Sequence, residues 1–188
     1  TELQTELAKL GFSQGQIIAM EKSVLDFATA MGVGLGEAAQ VAGATLRAFG
    51  YTSEETEEVL STLVAACNNS ALSFDKIQTS IGNVFPIAAQ FGFSVKDTAT
   101  LLGALANAGM DASTAATATR KIISEMADPT SDLAKRLGRT VHNVDELMDA
   151  LIELRKGGLD LAESLDLVGQ RAVTALPLSY LGQNQRKN

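Results

Sequence analysis

Tryptophan is absent, and histidine and cysteine occur once each in a chain of 188 residues. The lone Cys67 cannot close an intramolecular disulfide, and its place at the end of an apolar helical stripe predicts burial. The redox compartment is therefore left undecided. His142 is the only histidine that could act as a base, and it lies in a Thr-Val-His-Asn stretch just before an expected helix. No apolar run approaches the roughly 18 residues that a membrane helix needs, so no span is expected in this segment. A basic stripe is missing as well. Residues 1–110 carry five basic and eleven acidic side chains, and 111–188 carry ten and eleven, for a net charge of −7. Phosphate binding requires a basic footprint that this chain lacks, so direct nucleic-acid binding is not expected.

Strand-like alternation is nowhere sustained. Apolar residues instead recur at helical spacing between the glycines, as in Val59, Leu60, Leu63, Val64 and Cys67. The expected fold class is all-α. With 46% apolar and 20% charged residues, the composition is that of a soluble globular protein. The length suits one domain or two closely packed subdomains. Thr1 stands where an initiator methionine would, and no signal peptide pattern follows, so the chain reads as a fragment of something longer.

What the chain does have is repetition. Leu10-Gly11-Phe12-Ser13 returns as Phe49-Gly50-Tyr51-Thr52 and Phe91-Gly92-Phe93-Ser94, with a degenerate copy at Leu137-Gly138-Arg139-Thr140. Its glycines are 39, 42 and 46 residues apart, a period that signals stacked helical units. In each copy the glycine ends one helix in a left-handed conformation. The Ser or Thr two residues on caps the next helix, and the aromatic between them occupies the place of a hydrophobic staple. The second and third copies stay alike beyond the turn: Thr56, Val59-Leu60 and Leu63 correspond to Thr98, Leu101-Leu102 and Leu105.

The pattern predicts a bundle or array of stacked helix pairs joined by short Gly, Asn and Pro turns. A short amphipathic segment through Leu3, Leu7 and Leu10 leads into helices over 17–31, 37–48 and 53–67. After a turn at Asn68-Asn69-Ser70, Ser73 caps a helix that carries Phe74, Ile77, Ile81, Val84 and Phe85. Pro86 should end or kink it, since proline lacks an N–H and its ring clashes with the preceding turn. A short piece over 87–90 precedes helices over 95–108 and 112–126. Further helices are expected over 131–137, 143–156 and 159–168, and an apolar piece over 171–181 precedes a polar tail from about 182. Residues 1–130 form the repeated core, and 131–188 form a helical extension packed on it.

Three constellations could suggest chemistry. Gly11-Phe12-Ser13-Gln14-Gly15 fits the Gly-x-Ser-x-Gly pattern of a nucleophilic serine, but no strand precedes it, and capping explains Ser13. Glu54, Glu55, Glu57 and Glu58 cluster at a helix start, where the helix dipole favours carboxylates without a metal. Gly32, Gly34 and Gly36 follow a helix and lack the Lys-Ser/Thr of a phosphate loop, so they read as a helix-helix joint. No catalytic, cofactor-binding or metal residue is assigned. The assigned residues are the structural turns and caps Gly11, Ser13, Gly50, Thr52, Gly92, Ser94 and Pro86.

The stretch from about Leu10 to Pro129 resembles the core region of phage tail tape measure proteins. The likeness rests on Leu46-Arg47-Ala48-Phe49-Gly50 before an acidic helix start and on Ala65-Ala66-Cys67-Asn68-Asn69-Ser70 as a turn. It continues through Val84-Phe85-Pro86-Ile87-Ala88, through Leu105-Ala106-Asn107-Ala108-Gly109-Met110, and through Asp128-Pro129-Thr130. Ala115-Ala116-Thr117-Ala118 departs from it, where such proteins often carry an Ala-Gly step. The resemblance implies a structural protein of a phage or prophage tail, part of a chain in the tail-tube lumen that sets tail length. It implies tail tube proteins and tail assembly chaperones as partners, self-association in the tail, and assembly in the bacterial cytoplasm. Two other readings stand beside it. A helical-repeat adaptor would present a groove to a peptide, and an α-helical enzyme would need convergent polar groups that the spacing does not supply.

Overall fold

The computed structural model describes residues 1–156, and among them the regular structure is helical throughout. The expectations over 159–168, over 171–181 and for the tail from about 182 fall outside the described residues. The helices are α1 (Glu2–Lys9), α2 (Gln14–Met31), α3 (Leu35–Phe49), α4 (Thr56–Asn68), α5 (Phe74–Ile81), α6 (Phe85–Gln90), α7 (Val95–Asn107), α8 (Ala112–Ala127), α9 (Asp132–Leu137) and α10 (Val144–Lys156). A 3-10 turn over Ser53–Glu55 precedes α4, so the helix expected from residue 53 enters through a tighter turn.

Packing sorts these helices into two rows. Helices α2, α4, α7 and α10 follow one another in one row, each against the next. The other row runs from α1 to α3, then to α5 and α6, then to α8 with α9 at its end. The chain crosses between rows at almost every joint. Contacts within a row thus join helices two or three elements apart in sequence, as α2 with α4 and α4 with α7, which is the packing of stacked pairs.

One apolar core runs through both rows. Met20, Val24 and Phe27 from α2, Leu63 from α4, and Leu101, Leu102 and Leu105 from α7 are buried. They share it with Leu46 from α3, Ile77 from α5, Phe85 from α6 and Ile122 and Ile123 from α8. Burying each such side chain is worth about 1.5–3 kcal/mol. Phe49 of α3 meets Phe85 of α6 edge-on, their centroids 5.3 Å apart. The packing of α1 on α3 needs a close approach. A Cβ on Gly43 of α3 would lie 3.1 Å from both Leu7 and Phe12 and closer still to Leu10, so only glycine lets α1 sit this near.

Pro86 acts differently from the simplest reading. The helix that carries Ile77 stops at Ile81, and Pro86 falls in the first turn of a new helix, α6. Phe85 therefore belongs to the second helix rather than the first, and Val84 stands at its N-cap. Proline tolerates that place because the N–H it lacks would have no helical partner there. The break lies in the preceding turn, over residues 82–84, where the ring would clash with a continuing helix. Cys67 also differs from expectation. It is half-buried, and that burial pushes its thiol pKa upward.

Candidate functional site

The residues that the repeat singles out form the joints of the array. Gly11, Gly50 and Gly92 have φ of +82°, +74° and +81°. At each, the N–H of the following aromatic reaches back five residues: Phe12 to the Leu7 carbonyl at 3.2 Å, Tyr51 to Leu46 at 3.0 Å and Phe93 to Ala88 at 2.9 Å. These bonds satisfy carbonyls that a helix end would otherwise leave open. Phe12 and Phe93 are buried, and Tyr51 is half-buried.

The caps that follow are not alike. Ser13 Oγ accepts from the Gln16 N–H at 3.4 Å, and the Gln16 side chain accepts from the Ser13 N–H at 2.9 Å. Ser94 Oγ accepts from the Asp97 N–H at 3.0 Å. Asp97 returns the contact and also accepts from the Val144 N–H at 3.1 Å, so one carboxylate ties the starts of α7 and α10 together. At Thr52 the contact runs to the side chain three residues on: its N–H and its hydroxyl both donate to the Glu55 carboxylate, at 2.7 and 2.9 Å.

Two further joints use the same device without an aromatic. Gly32 and Gly109 have φ of +67° and +80°, and the N–H groups of Val33 and Met110 reach the carbonyls of Ala28 and Leu105. Gly34 and Asp111 then start α3 and α8. The signal was present as Gly-apolar-cap, but it is hidden when only aromatics are counted. With Ala71-Leu72-Ser73 as the joint between α4 and α5, the spacing becomes 21, 18, 21, 21 and 17 residues. The structural period is thus one helix, or the short couple α5 and α6, half the distance between the aromatic copies. The fourth copy keeps a left-handed Gly138, at φ +69°. Its Arg139 lies on the surface, 3.4 Å from Glu153.

The joint between α4 and α5 has no left-handed residue, so side chains close it. Asn69 Nδ2 donates to the Ala65 carbonyl at 2.8 Å, and Ser70 Oγ donates to the Ala66 carbonyl at 2.7 Å. Asn107 on α7 accepts from the Ala71 N–H at 2.6 Å. A Cβ on Gly103 would meet Ser70 Oγ at 2.7 Å, so glycine there lets α7 approach the joint.

The constellations with possible chemistry stay dispersed. Ser13 is engaged by Gln16, while the His142 ring nitrogens meet Thr140 Oγ1 at 2.9 Å and the Phe91 carbonyl at 3.4 Å. Glu54, Glu57 and Glu58 are exposed. The Glu54 carboxyl is held below its ordinary pKa by its own N–H and then by the Ser53 hydroxyl. Gly36 faces the Glu2 carboxylate, which an added Cβ would push aside. No group of three or more His, Cys, Asp or Glu among the described residues could hold a metal ion. No helix among them is long and apolar enough to cross a membrane.

The fold and its joints define an all-α array of stacked, capped helices. Residues 1–132 match the family model described as phage-related minor tail protein, and the chain belongs to that family. It is a phage tail-associated structural protein. A tape measure protein of Pneumococcus phage Dp-1 is 28% identical to it over 131 residues, 70% of this chain and 11% of that protein. A probable tape measure protein of Escherichia phage P2 is 28% identical over 138 residues, 72% of this chain and 17% of that protein. The chain thus spans less than a fifth of either relative. No solved structure matches it.

Proposed function

We propose that this segment is part of a tape measure protein, folded as an assembly domain that supports tail-tube construction and length control. The carrying observation is the likeness, over most of the chain, to tape measure proteins several times its length. The short capped helices support the folded form. α2, the longest at 18 residues, spans about 27 Å at about 1.5 Å per residue, whereas a ruler segment of sustained heptads would run on unbroken.

In this reading residues 1–130 act as the repeated core and 131–188 as the extension packed on it. The tail lumen is the destination, the host cytoplasm is the place of assembly, and tail tube proteins and assembly chaperones are the partners. Self-association in the tail belongs to the same proposal. It is supported by Ile18 and Leu25, which are exposed on α2 and two helical turns apart on one face.

The test is tail length by electron microscopy in particles whose parent chain lacks residues 50–91. Unchanged length with fewer completed tails is the expected result for an assembly domain. Shortening by about 63 Å, at about 1.5 Å per residue, would make the region itself part of the ruler. Normal tails in normal number would defeat the proposal.

A further inference from the structure

A groove of about 630 Å³ runs along the outer face of α7, between the α4–α5 joint and the start of α10. Its floor is made of small residues, among them Thr100 and Ala104. Asn69 and Asn107 stand at one end, and Lys96 and Asp145 stand at the other, where α7 and α10 begin.

The two carboxamides have fixed orientations. Asn107 must turn its oxygen to the Ala71 N–H, and Asn69 must turn its nitrogen to the Ala65 carbonyl. This leaves Asn107 Nδ2, a donor, and Asn69 Oδ1, an acceptor, without partners among the described residues. Both side chains are exposed. One donor and one acceptor side by side match the C=O and N–H of a peptide backbone. Within a helix those groups are already paired, whereas an extended segment leaves them open. From Lys96 to Asn107 the groove measures about 16 Å at about 1.5 Å per residue, room for about five extended residues at about 3.3 Å each.

Charge narrows the choice. Asp97 is spent on Ser94 and on the Val144 N–H. Asp145 is exposed and makes no ion pair with a described residue, and among the described residues Lys96 is the one cation lining the groove. The described lining is therefore net acidic by one charge.

We propose that this groove is a docking site for an extended peptide segment of a partner protein, about five residues long and carrying one basic side chain. Asn69 and Asn107 hold its backbone, and Asp145 pairs with the basic group. The assignment stands on the groove alone and does not depend on the tape measure reading.

The test uses the full chain and three pools of capped pentapeptides, random except for a fixed Arg, Glu or Ala. Binding is followed through the side-chain amide resonances of Asn69 and Asn107. The Arg pool should shift both resonances saturably and bind more tightly than the Ala pool. Asn107→Asp keeps the oxygen that serves Ala71 and removes the outward donor. It should weaken Ala-pool binding, which its added charge does not favour, at least about tenfold while the circular dichroism spectrum holds. Asp145→Asn, outside every joint, should abolish the preference for Arg over Ala. Equal binding by Asn107→Asp in its folded state, a preference for the Glu pool, or unmoved amide resonances in all three pools would overturn the proposal. So would binding by a helix-forming peptide in place of the pentapeptides.

Discussion

Arg47, near the end of α3, covers the first joint: its guanidinium carbon stands 4.4 Å from the centroid of the Phe12 ring. The same group donates to the Gly11 carbonyl at 2.7 Å. Arg47 therefore pins a turn from 36 positions away by two contacts that need its planar fork.

Arg47→Ala should lower stability by about 1–2 kcal/mol, combining an exposed cation–π contact with a hydrogen bond. In a domain of this size that is a fall of about 2–4 °C in Tm for each kcal/mol. Arg47→Lys should recover less than half, because an ammonium cannot stack and bond at once. A thermal melt of the three proteins decides it, and an unchanged Tm for Arg47→Ala would refute the pinning role.

Gly15 and Gly92 both have open space where a Cβ would go, but only Gly92 has a positive φ. Alanine should therefore act in opposite directions at the two sites. Gly15→Ala gains about 0.5 kcal/mol by restricting the unfolded chain, and Gly92→Ala loses about 1–2 kcal/mol by forcing a side chain into the left-handed region. Urea unfolding of both variants checks the signs.

Thr119 on α8 is fully buried, and its hydroxyl has no hydrogen-bond partner among the described residues. Thr45, equally buried, donates to the Val41 carbonyl at 2.7 Å. Valine in place of each changes little in shape, so Thr119→Val should stabilise by about 1 kcal/mol and Thr45→Val should destabilise by about 0.5–1.5 kcal/mol. Chemical denaturation of the pair reads the contrast directly.

Asp111 caps α8, and the Thr114 hydroxyl, followed by the Thr114 N–H, holds its carboxyl pKa below the ordinary value. A carboxyl depressed on folding contributes stability that is present above its unfolded pKa and lost as pH falls through the folded one. Asp111→Asn retains a capping oxygen without the titration. Its stability deficit relative to the parent should be present at neutral pH and shrink on acidification below the unfolded carboxylate range. A deficit constant with pH would mean that the charge plays no part.

The helices were legible because glycine, apolar spacing and capping residues agree at each joint, as at Gly92-Phe93-Ser94 before α7. The half-length period was not, since Val33 and Met110 replace the aromatic that draws the eye. The ends of α5 and α6 were hidden for another reason. Proline disrupts the turn before it, so the residues that mark the break are Gly82 and Asn83 rather than Pro86. Cys67 lies on the apolar stripe of α4 but near its end, where burial depends on a neighbouring helix that local sequence does not specify. The α7 groove had no signature at all. It arises because Asn69, Asn107 and Asp145, far apart in the chain, meet around one helix.

The crossing of the chain between rows at nearly every joint imposes a rule of parity. Removing one segment between two crossings, such as α4 alone or α5 with α6, would send every later helix to the opposite row and turn its apolar stripe outward. Removing two successive segments leaves each survivor on its own side. Insertions and deletions in this array should therefore survive in steps of about forty residues and fail in steps of about twenty. Natural length variation in this array would then come in even numbers of crossings.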